Sequence, residues 1–287
     1  MTNTVQSPQH EKRFTKQAPP KQIRVAEVAC RTILSPSGIG SAGYSLNPYV
    51  GCTHNCGYCY AHYMQRYSGH TENWGKFVDA KVNAPQVLVR QLRRIPPSSI
   101  FLSSVTDPYQ PVEKHYRITR RLIQIMTPLH HSVTIHTKSK LIERDIGLIT
   151  KLRNVSVTFT IVAGDEEARK HLEPGASPVS ERIRVLKKFA LYGIKTSVFI
   201  GPIIPYVTER GLEKLLWELL RAGVKKILID DLHYLPRISG RLLPSLNAYR
   251  KGLAYKYRYI PENYYQQIAQ IVLKFCRKHG IRCLKCF

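Results

Sequence analysis

Short runs rich in β-branched and aromatic residues alternate along most of the chain with stretches whose apolar residues recur at i, i+3 and i+4. A loop punctuated by Gly38, Gly40 and Gly43 leads into a first strand ending near Val50. Further strands are predicted at SSIFLSSVTD, SVTIHTK, VSVTFTIVA, IKTSVFIGPII and VKKILIDDL. Helices are predicted at YAHYMQRYSGH, APQVLVRQLRRI, RITRRLIQIM, LIERDIGLITKL, SERIRVLKKFALYG, ERGLEKLLWELLRAG and NYYQQIAQIVLKFCRKHG. Two of them stop at Gly193 and Gly223, as helices do where a left-handed residue is needed.

Strands alternating with helices of this length imply right-handed βαβ crossovers and a parallel sheet. About six units fall short of the eight that close a barrel. The expected fold is therefore α/β, a partial (β/α)6 TIM-type barrel with parallel strands. It carries a flexible basic N-terminal tail over residues 1–25, a core over 26–240 and a basic, Tyr-rich C-terminal extension over 241–287 that packs on the core. In such folds the chemistry collects at the carboxyl ends of the strands. That rule selects Cys52, the stretch from Ser104 to Asp107, Lys138 and the stretch from Gly201 to Pro205 for one rim.

Composition adds two constraints. Forty-four Lys and Arg against nineteen Asp and Glu leave a net charge of +25, a field that concentrates polyanions, so nucleic acid is the first partner to consider. No window approaches the apolar length of a membrane-spanning helix, and the polar, Pro-containing start lacks the apolar centre of a secretion signal. A cytoplasmic, reducing location is expected. Seven cysteines there point to metal or redox chemistry rather than a disulfide framework.

Cys52, Cys56 and Cys59 fall within eight residues, in NPYVGCTHNCGYCYAHY. Three thiolates can ligate three corners of a cubane cluster and leave one iron open, whereas structural zinc takes four protein ligands. The zinc alternative needs His54, His62 or a distant cysteine as the fourth. C-x3-C-x2-C with Tyr58 before the last cysteine resembles the radical S-adenosylmethionine (SAM) signature. LNPYVGCTHNCGYCYA, SSVTDPYQPVE, HTKS and LEPG, in that order, resemble the spore photoproduct lyase-like branch, the DNA repair photolyases, over roughly residues 30–235.

The resemblance implies a 4Fe-4S cluster on Cys52, Cys56 and Cys59 and S-adenosylmethionine on its open iron. One-electron reduction, by a donor such as flavodoxin or ferredoxin, would yield a 5'-deoxyadenosyl radical. It implies Tyr58 against the adenine, and Ser104, Asp107 and Lys138 on the methionine or ribose. Lys138 has independent merit as a cation at a strand end, with a surface lysine as its alternative. Asp107 could equally be a turn residue before its proline, and Glu173 a loop residue in LEPG. Spore photoproduct lyases use a cysteine after the second strand as hydrogen-atom donor, assisted by a tyrosine that Tyr60 matches. The cysteine has no counterpart: Val105 stands there, or Ser103 or Ser104 if the register slips.

The remaining signals concern the C-terminus. Cys276, Cys283 and Cys286 could form a second metal site completed by Cys30, or be a core residue and two terminal thiols. From Arg241 onward there are ten Lys or Arg and one acidic residue, Glu262. Within this stretch Arg250, Lys251, Lys256 and Arg258 interleave with Tyr249, Tyr255, Tyr257, Tyr259, Tyr264 and Tyr265. Cations neutralise phosphates and tyrosines stack on bases in single-strand binders, but the same tyrosines could pack on the barrel. The leading expectation is a radical SAM enzyme acting on DNA or RNA. A peptide or small-molecule substrate and a non-catalytic metal-containing nucleic-acid-binding module are the alternatives.

Overall fold

The computed structural model describes residues 23–40 and 42–287. Most of the expected tail, residues 1–22, lies outside the described residues. The strands are β1 (Arg24–Val28), β2 (Leu34–Pro36), β3 (Tyr44–Leu46), β4 (Tyr49–Val50), β5 (Phe77–Lys81), β6 (Ser99–Leu102), β7 (Ser132–Thr137), β8 (Asn154–Thr160), β9 (Lys195–Ile200), β10 (Lys226–Ile229) and β11 (Arg282–Lys285). Eight form one sheet in the order β11-β10-β9-β8-β7-β6-β3-β2. All neighbours are parallel except β2, which runs antiparallel on β3. This is the α/β, partial TIM-type barrel.

The strands do not read as the continuous apolar runs of a parallel sheet covered on both faces. In β7, Val133, Ile135 and Thr137 are buried while Ser132, Thr134 and His136 are half-buried. The outward set, including Val157, Phe159, Val198, Ile200 and Ile227, joins the large core under the helices. The inward set is polar because it lines a cavity rather than a second layer. Cross-strand hydroxyl contacts run along it, among them Ser156 Oγ to Thr134 Oγ1 at 3.2 Å and Thr158 Oγ1 with Ser197 Oγ at 2.7 Å.

Three expectations are corrected. The first strand is two: β3 enters the main sheet beside β6, whereas β4 pairs antiparallel with β5, which lies parallel to β1 in a separate three-stranded sheet. Asn47 and Pro48 intervene, and proline interrupts a ladder by removing a donor. The count of six misses β11, which pairs in parallel with β10 and adds a seventh co-directional strand. The stretch after the cysteines, read as a helix, is a 3-10 helix, Tyr60–Tyr67.

Residue 240 falls inside the helix Leu235–Tyr249, and the chain beyond it contributes Tyr264, Ile268, Val272 and Cys276 to the main core. The helix Tyr264–Lys278 buries that stripe and hands the chain to β11.

Candidate radical SAM site

The loop carrying the three cysteines hangs between β4 and the 3-10 helix, and its backbone is held by distant parts of the chain. Gly51, at φ +82°, adopts a left-handed conformation, and a Cβ there would lie 2.4 Å from the Phe77 carbonyl oxygen. The Gly51 carbonyl accepts from Thr106 Oγ1 at 2.6 Å and Gln110 Nε2 at 3.2 Å. The Thr53 amide donates to Gln110 Oε1 at 2.9 Å, and the Gly57 amide to the Leu172 carbonyl at 2.8 Å. The LEPG turn lies against the same loop: the Gly175 amide donates to the His54 carbonyl at 3.0 Å, and a Cβ on Gly175 would lie 2.3 Å from the Thr53 oxygen.

Cys52 and Cys56 are buried, Cys59 is half-buried, and all three are free thiols. Burial pushes the Cys52 thiol up to about 12 and the Cys56 thiol well above its ordinary value, so cations must compensate thiolates there. All three line a cavity of about 1800 Å³ on the concave side of the sheet, with Tyr58, Tyr60, Ser104, Val105, Asp107, Lys138 and Tyr234. Among the described residues, only Asp230, Asp231 and His233 bring three ligand atoms within 4.8 Å of one another. One tetrahedral zinc, with sulfurs at about 2.3 Å, would draw them to about 3.8 Å apart. The three cysteines are therefore spread more widely than one zinc ion requires, as a polynuclear cluster accommodates.

The two histidines that the zinc alternative would draw on make their protein contacts through Nδ1. His54 Nδ1 lies 3.3 Å from Asp107 Oδ2, and His62 Nδ1 lies 3.0 Å from the Cys59 carbonyl. The C-terminal cysteines do not gather a second site with Cys30 within that spacing. Cys276 is a core residue and Cys283 packs against the same core, while Cys286 is exposed at the cavity edge.

Two strand ends supply the rest of the rim. Asp107 ties the turn after β6 to β7. Its Oδ1 accepts from the Tyr109 amide at 2.9 Å and Thr137 Oγ1 at 2.8 Å, and its Oδ2 accepts from the Lys138 amide at 2.8 Å. Burial alone would raise this carboxyl, yet His54 and Lys138 hold it at about 2. Ser104 is fixed by Asn47, whose Oδ1 accepts from its amide at 2.9 Å and whose Nδ2 donates to its hydroxyl at 3.0 Å. Tyr60 donates its phenol to the Ser104 carbonyl. Lys138 Nζ stands 5.9 Å from the centre of the Tyr58 ring. Burial works against its charge, but Cys56, Glu173 and Asp107 raise the ammonium above its ordinary value, so it stays a cation.

Sequence reasoning left Glu173 as a loop residue. It is 1% exposed and anchors the loop from below: Tyr58 donates its phenol to Oε1, and Arg182, 0% exposed, pairs with Oε2 at 2.5 Å. Burial would raise this carboxyl, and Arg182 and Lys138 hold it below the ordinary range. Trp74 and Arg241 were also missed. Trp74 packs with Cys52 and Phe77 in a buried cluster adjoined by Cys59 and Val105. Arg241 reaches from the helix Leu235–Tyr249 to the carbonyls of Trp74, at 2.9 Å, and Cys56, at 3.4 Å, and to Asn55 Oδ1, at 2.7 Å.

A family model described as the Radical SAM superfamily matches residues 46–218, which contain the cysteine loop and both strand ends. The chain belongs to the radical SAM superfamily. It is therefore an enzyme of the kind that uses a 4Fe-4S cluster and S-adenosylmethionine, and the three free thiols at an open cavity fit the cluster. An uncharacterised protein of Methanocaldococcus jannaschii is 33% identical over 184 residues, 64% of this chain and 69% of its own length. An uncharacterised protein of Mycobacterium tuberculosis is 27% identical over 280 residues, covering 90% of this chain and 82% of its own. Among solved structures, spore photoproduct lyase complexed with dinucleoside spore photoproduct shares the fold. Its TM-score is 0.71 at 16% identity, over 92% of this chain and 82% of that one.

The radical SAM chain departs from the lyase resemblance at one place that the structure locates. Val105 faces the cavity beside the Cys52 and Trp74 cluster, with its amide held by Asn47 Oδ1 at 3.1 Å. No thiol is offered from that turn.

Proposed function

We propose that this radical SAM enzyme cleaves S-adenosylmethionine reductively and directs the resulting radical chemistry at nucleic acid. Cys52, Cys56 and Cys59 hold the cluster, Lys138 pairs with the cofactor carboxylate, Tyr58 lies against the adenine, and Ser104 contributes polar contacts from its strand end. When bound, cluster and cofactor together supply a carbon radical able to abstract hydrogen from an unactivated C–H bond. The chain's own part is to position and enclose. Asp107, with both oxygens engaged inside the protein, holds the two strand ends in register, and Glu173 fixes the Tyr58 ring through its phenol. Tyr60, anchored at the Ser104 carbonyl, stands at the mouth where a substrate carbon enters.

The observation that carries the nucleic-acid reading is a set of exposed tyrosine and arginine pairs near this cavity and on the basic C-terminal segment. Tyr234, on the cavity rim, has the Arg237 guanidinium 5.8 Å from its ring centre, and Arg66 stands 4.7 Å from that of Tyr67. Tyr255 carries Arg258 at 4.7 Å, and Tyr259 is 78% exposed. Exposed π faces beside fixed cations suit stacked bases and phosphates. The C-terminal tyrosines divide by burial. Tyr257 and Tyr264 are core residues, Tyr257 donating to the Pro205 carbonyl at 2.8 Å, so only the exposed members are available to a ligand.

The test has two arms. Anaerobically reconstituted protein with dithionite and S-adenosylmethionine is expected to yield 5'-deoxyadenosine, and an intact cluster without product would sink the radical reading. Binding to single-stranded oligonucleotides should weaken with salt, with a log–log slope of about −0.7 per phosphate contact. Absent or salt-insensitive binding would turn the substrate to a peptide or small molecule.

A further inference from the structure

Buried polar atoms without a partner are rare in native proteins, and each one asks for an explanation. Among the described residues, the unpartnered buried side-chain atoms include two nitrogen donors, the indole Nε1 of Trp74 and the guanidinium Nε of Arg241. Both sit at the cysteine loop, and they are linked to each other. Arg241 donates to the Trp74 carbonyl at 2.9 Å and to the Cys56 carbonyl at 3.4 Å. The Trp74 ring is 2% exposed, packs against Cys52 and lines the cavity. With Trp74 packed beside Cys52 and Arg241 bonded to the Cys56 carbonyl, two N–H donors left unsatisfied at the cysteine loop are donors without their acceptor. Thiolate and sulfide sulfurs of an anionic cluster are acceptors of the right kind, in the place where the chain offers none.

We propose that Trp74 and Arg241 are positioning residues for the cluster's redox step: the Trp74 indole N–H hydrogen-bonds a cluster sulfur, and the buried Arg241 charge favours the more negative, reduced state. The inference rests on the reading of Cys52, Cys56 and Cys59 as cluster ligands. Hydrogen bonds to the sulfurs and nearby positive charge both raise a cluster's potential, because reduction adds an electron to a group already negative. The same Arg241 answers a structural need. It closes the loop at Asn55 Oδ1, 2.7 Å away, so the fold that shapes the loop also places the charge. Burial presses this guanidinium toward neutrality, and thiolates at Cys59 and Cys56 oppose that pressure.

The experiment is a potentiometric titration of the reconstituted holoenzyme, followed by electron paramagnetic resonance, in wild type, Trp74→Phe, Arg241→Gln and Arg241→Lys. Iron and sulfide are counted in each. Trp74→Phe keeps an aromatic ring at this buried position but removes the five-membered ring that bears the N–H, so its potential is compared only at iron and sulfide contents equal to wild type. In Trp74→Phe and in Arg241→Gln the ratio of reduced to oxidised cluster at a fixed potential is expected to fall about tenfold, a midpoint about 59 mV lower for one electron. Arg241→Lys, which keeps the charge, should stay closer to wild type than Arg241→Gln. An exchangeable proton coupling to the reduced cluster, seen in wild type after transfer between H2O and D2O, should be missing in Trp74→Phe.

Ratios within twofold of wild type in both Trp74→Phe and Arg241→Gln, at equal iron content, would overturn the inference while leaving the cluster assignment intact. If Arg241→Gln fails to fold, Trp74→Phe alone decides. A wild-type protein that takes up no 4Fe-4S cluster would instead overturn the assignment of the three cysteines.

Discussion

Replacing Glu173 by Gln removes one charge from a buried pair while keeping the side chain's shape and its ability to accept from Tyr58. Arg182, 0% exposed, would keep its other partners, because its Nε donates to the Ser177 carbonyl and its Nη1 to the Thr160 carbonyl, each at 2.8 Å. What changes is that the guanidinium loses its compensating charge. Removing one member of a buried ion pair costs about 3–5 kcal/mol. Folded domains are stable by only about 5–15 kcal/mol, so this is a large fraction of the total. At about 2–4 °C per kcal/mol for a chain of this size class, the melting temperature of the apo-protein should fall by roughly 6–20 °C. The measurement is thermal unfolding by circular dichroism under anaerobic conditions, alongside iron uptake after reconstitution, since Tyr58 sits between Cys56 and Cys59, the proposed cluster ligands. The double variant Glu173→Gln with Arg182→Met removes both charges and should recover part of the loss. A single variant within about 1 kcal/mol of wild type, or a double variant no better than the single, would refute the claim that this pair anchors the loop.

Other outcomes test separate parts of the site. Cys56→Ala should abolish the 4Fe-4S absorbance, whereas Cys286→Ala, at the exposed cavity edge, should leave it unchanged; a full cluster in Cys56→Ala would contradict the ligand assignment. Asp107 has a folded pKa depressed to about 2 from 3.8, so its contribution is complete above about pH 4 and is lost as pH falls toward 2. That shift corresponds to about 2 kcal/mol, and Asp107→Asn should flatten this part of the acid-unfolding profile of the apo-protein; an unaltered profile would count against it. Tyr234→Ala and Tyr259→Ala, both at exposed positions, should each weaken single-stranded oligonucleotide binding roughly 5- to 150-fold at fixed salt if each stacks a base, as fluorescence anisotropy would read. Affinities within twofold of wild type would remove these tyrosines from the interface.

The alternation of strands and helices was legible because period 2 and period 3.6 are local properties, and the parallel α/β architecture follows from that alternation alone. The cysteine motif was legible for the same reason, since its three cysteines and Tyr58 lie within a few residues. Lys138 and the turn at Asp107 could be assigned to the rim because a parallel sheet delivers all its strand ends to one side. The limits appear wherever two segments meet only in space. The division of the first strand into β3 and β4 depends on β5, a partner outside the six strands read from the alternation. β11 is too short and too polar on one face to be read as a strand before β10 lies beside it.

The sequence by itself determined the barrel class, the three thiols and the rim on which they stand. Only the tertiary structure decided what surrounds those thiols. Glu173 lies 115 residues from Tyr58 and Arg241 lies 186 residues from Asn55, separations at which no periodicity or spacing carries information. Burial gives these contacts their weight: a glutamate, an arginine or an indole N–H is unremarkable in water and becomes a constraint once water is excluded and its partner must come from the chain or from what the chain binds.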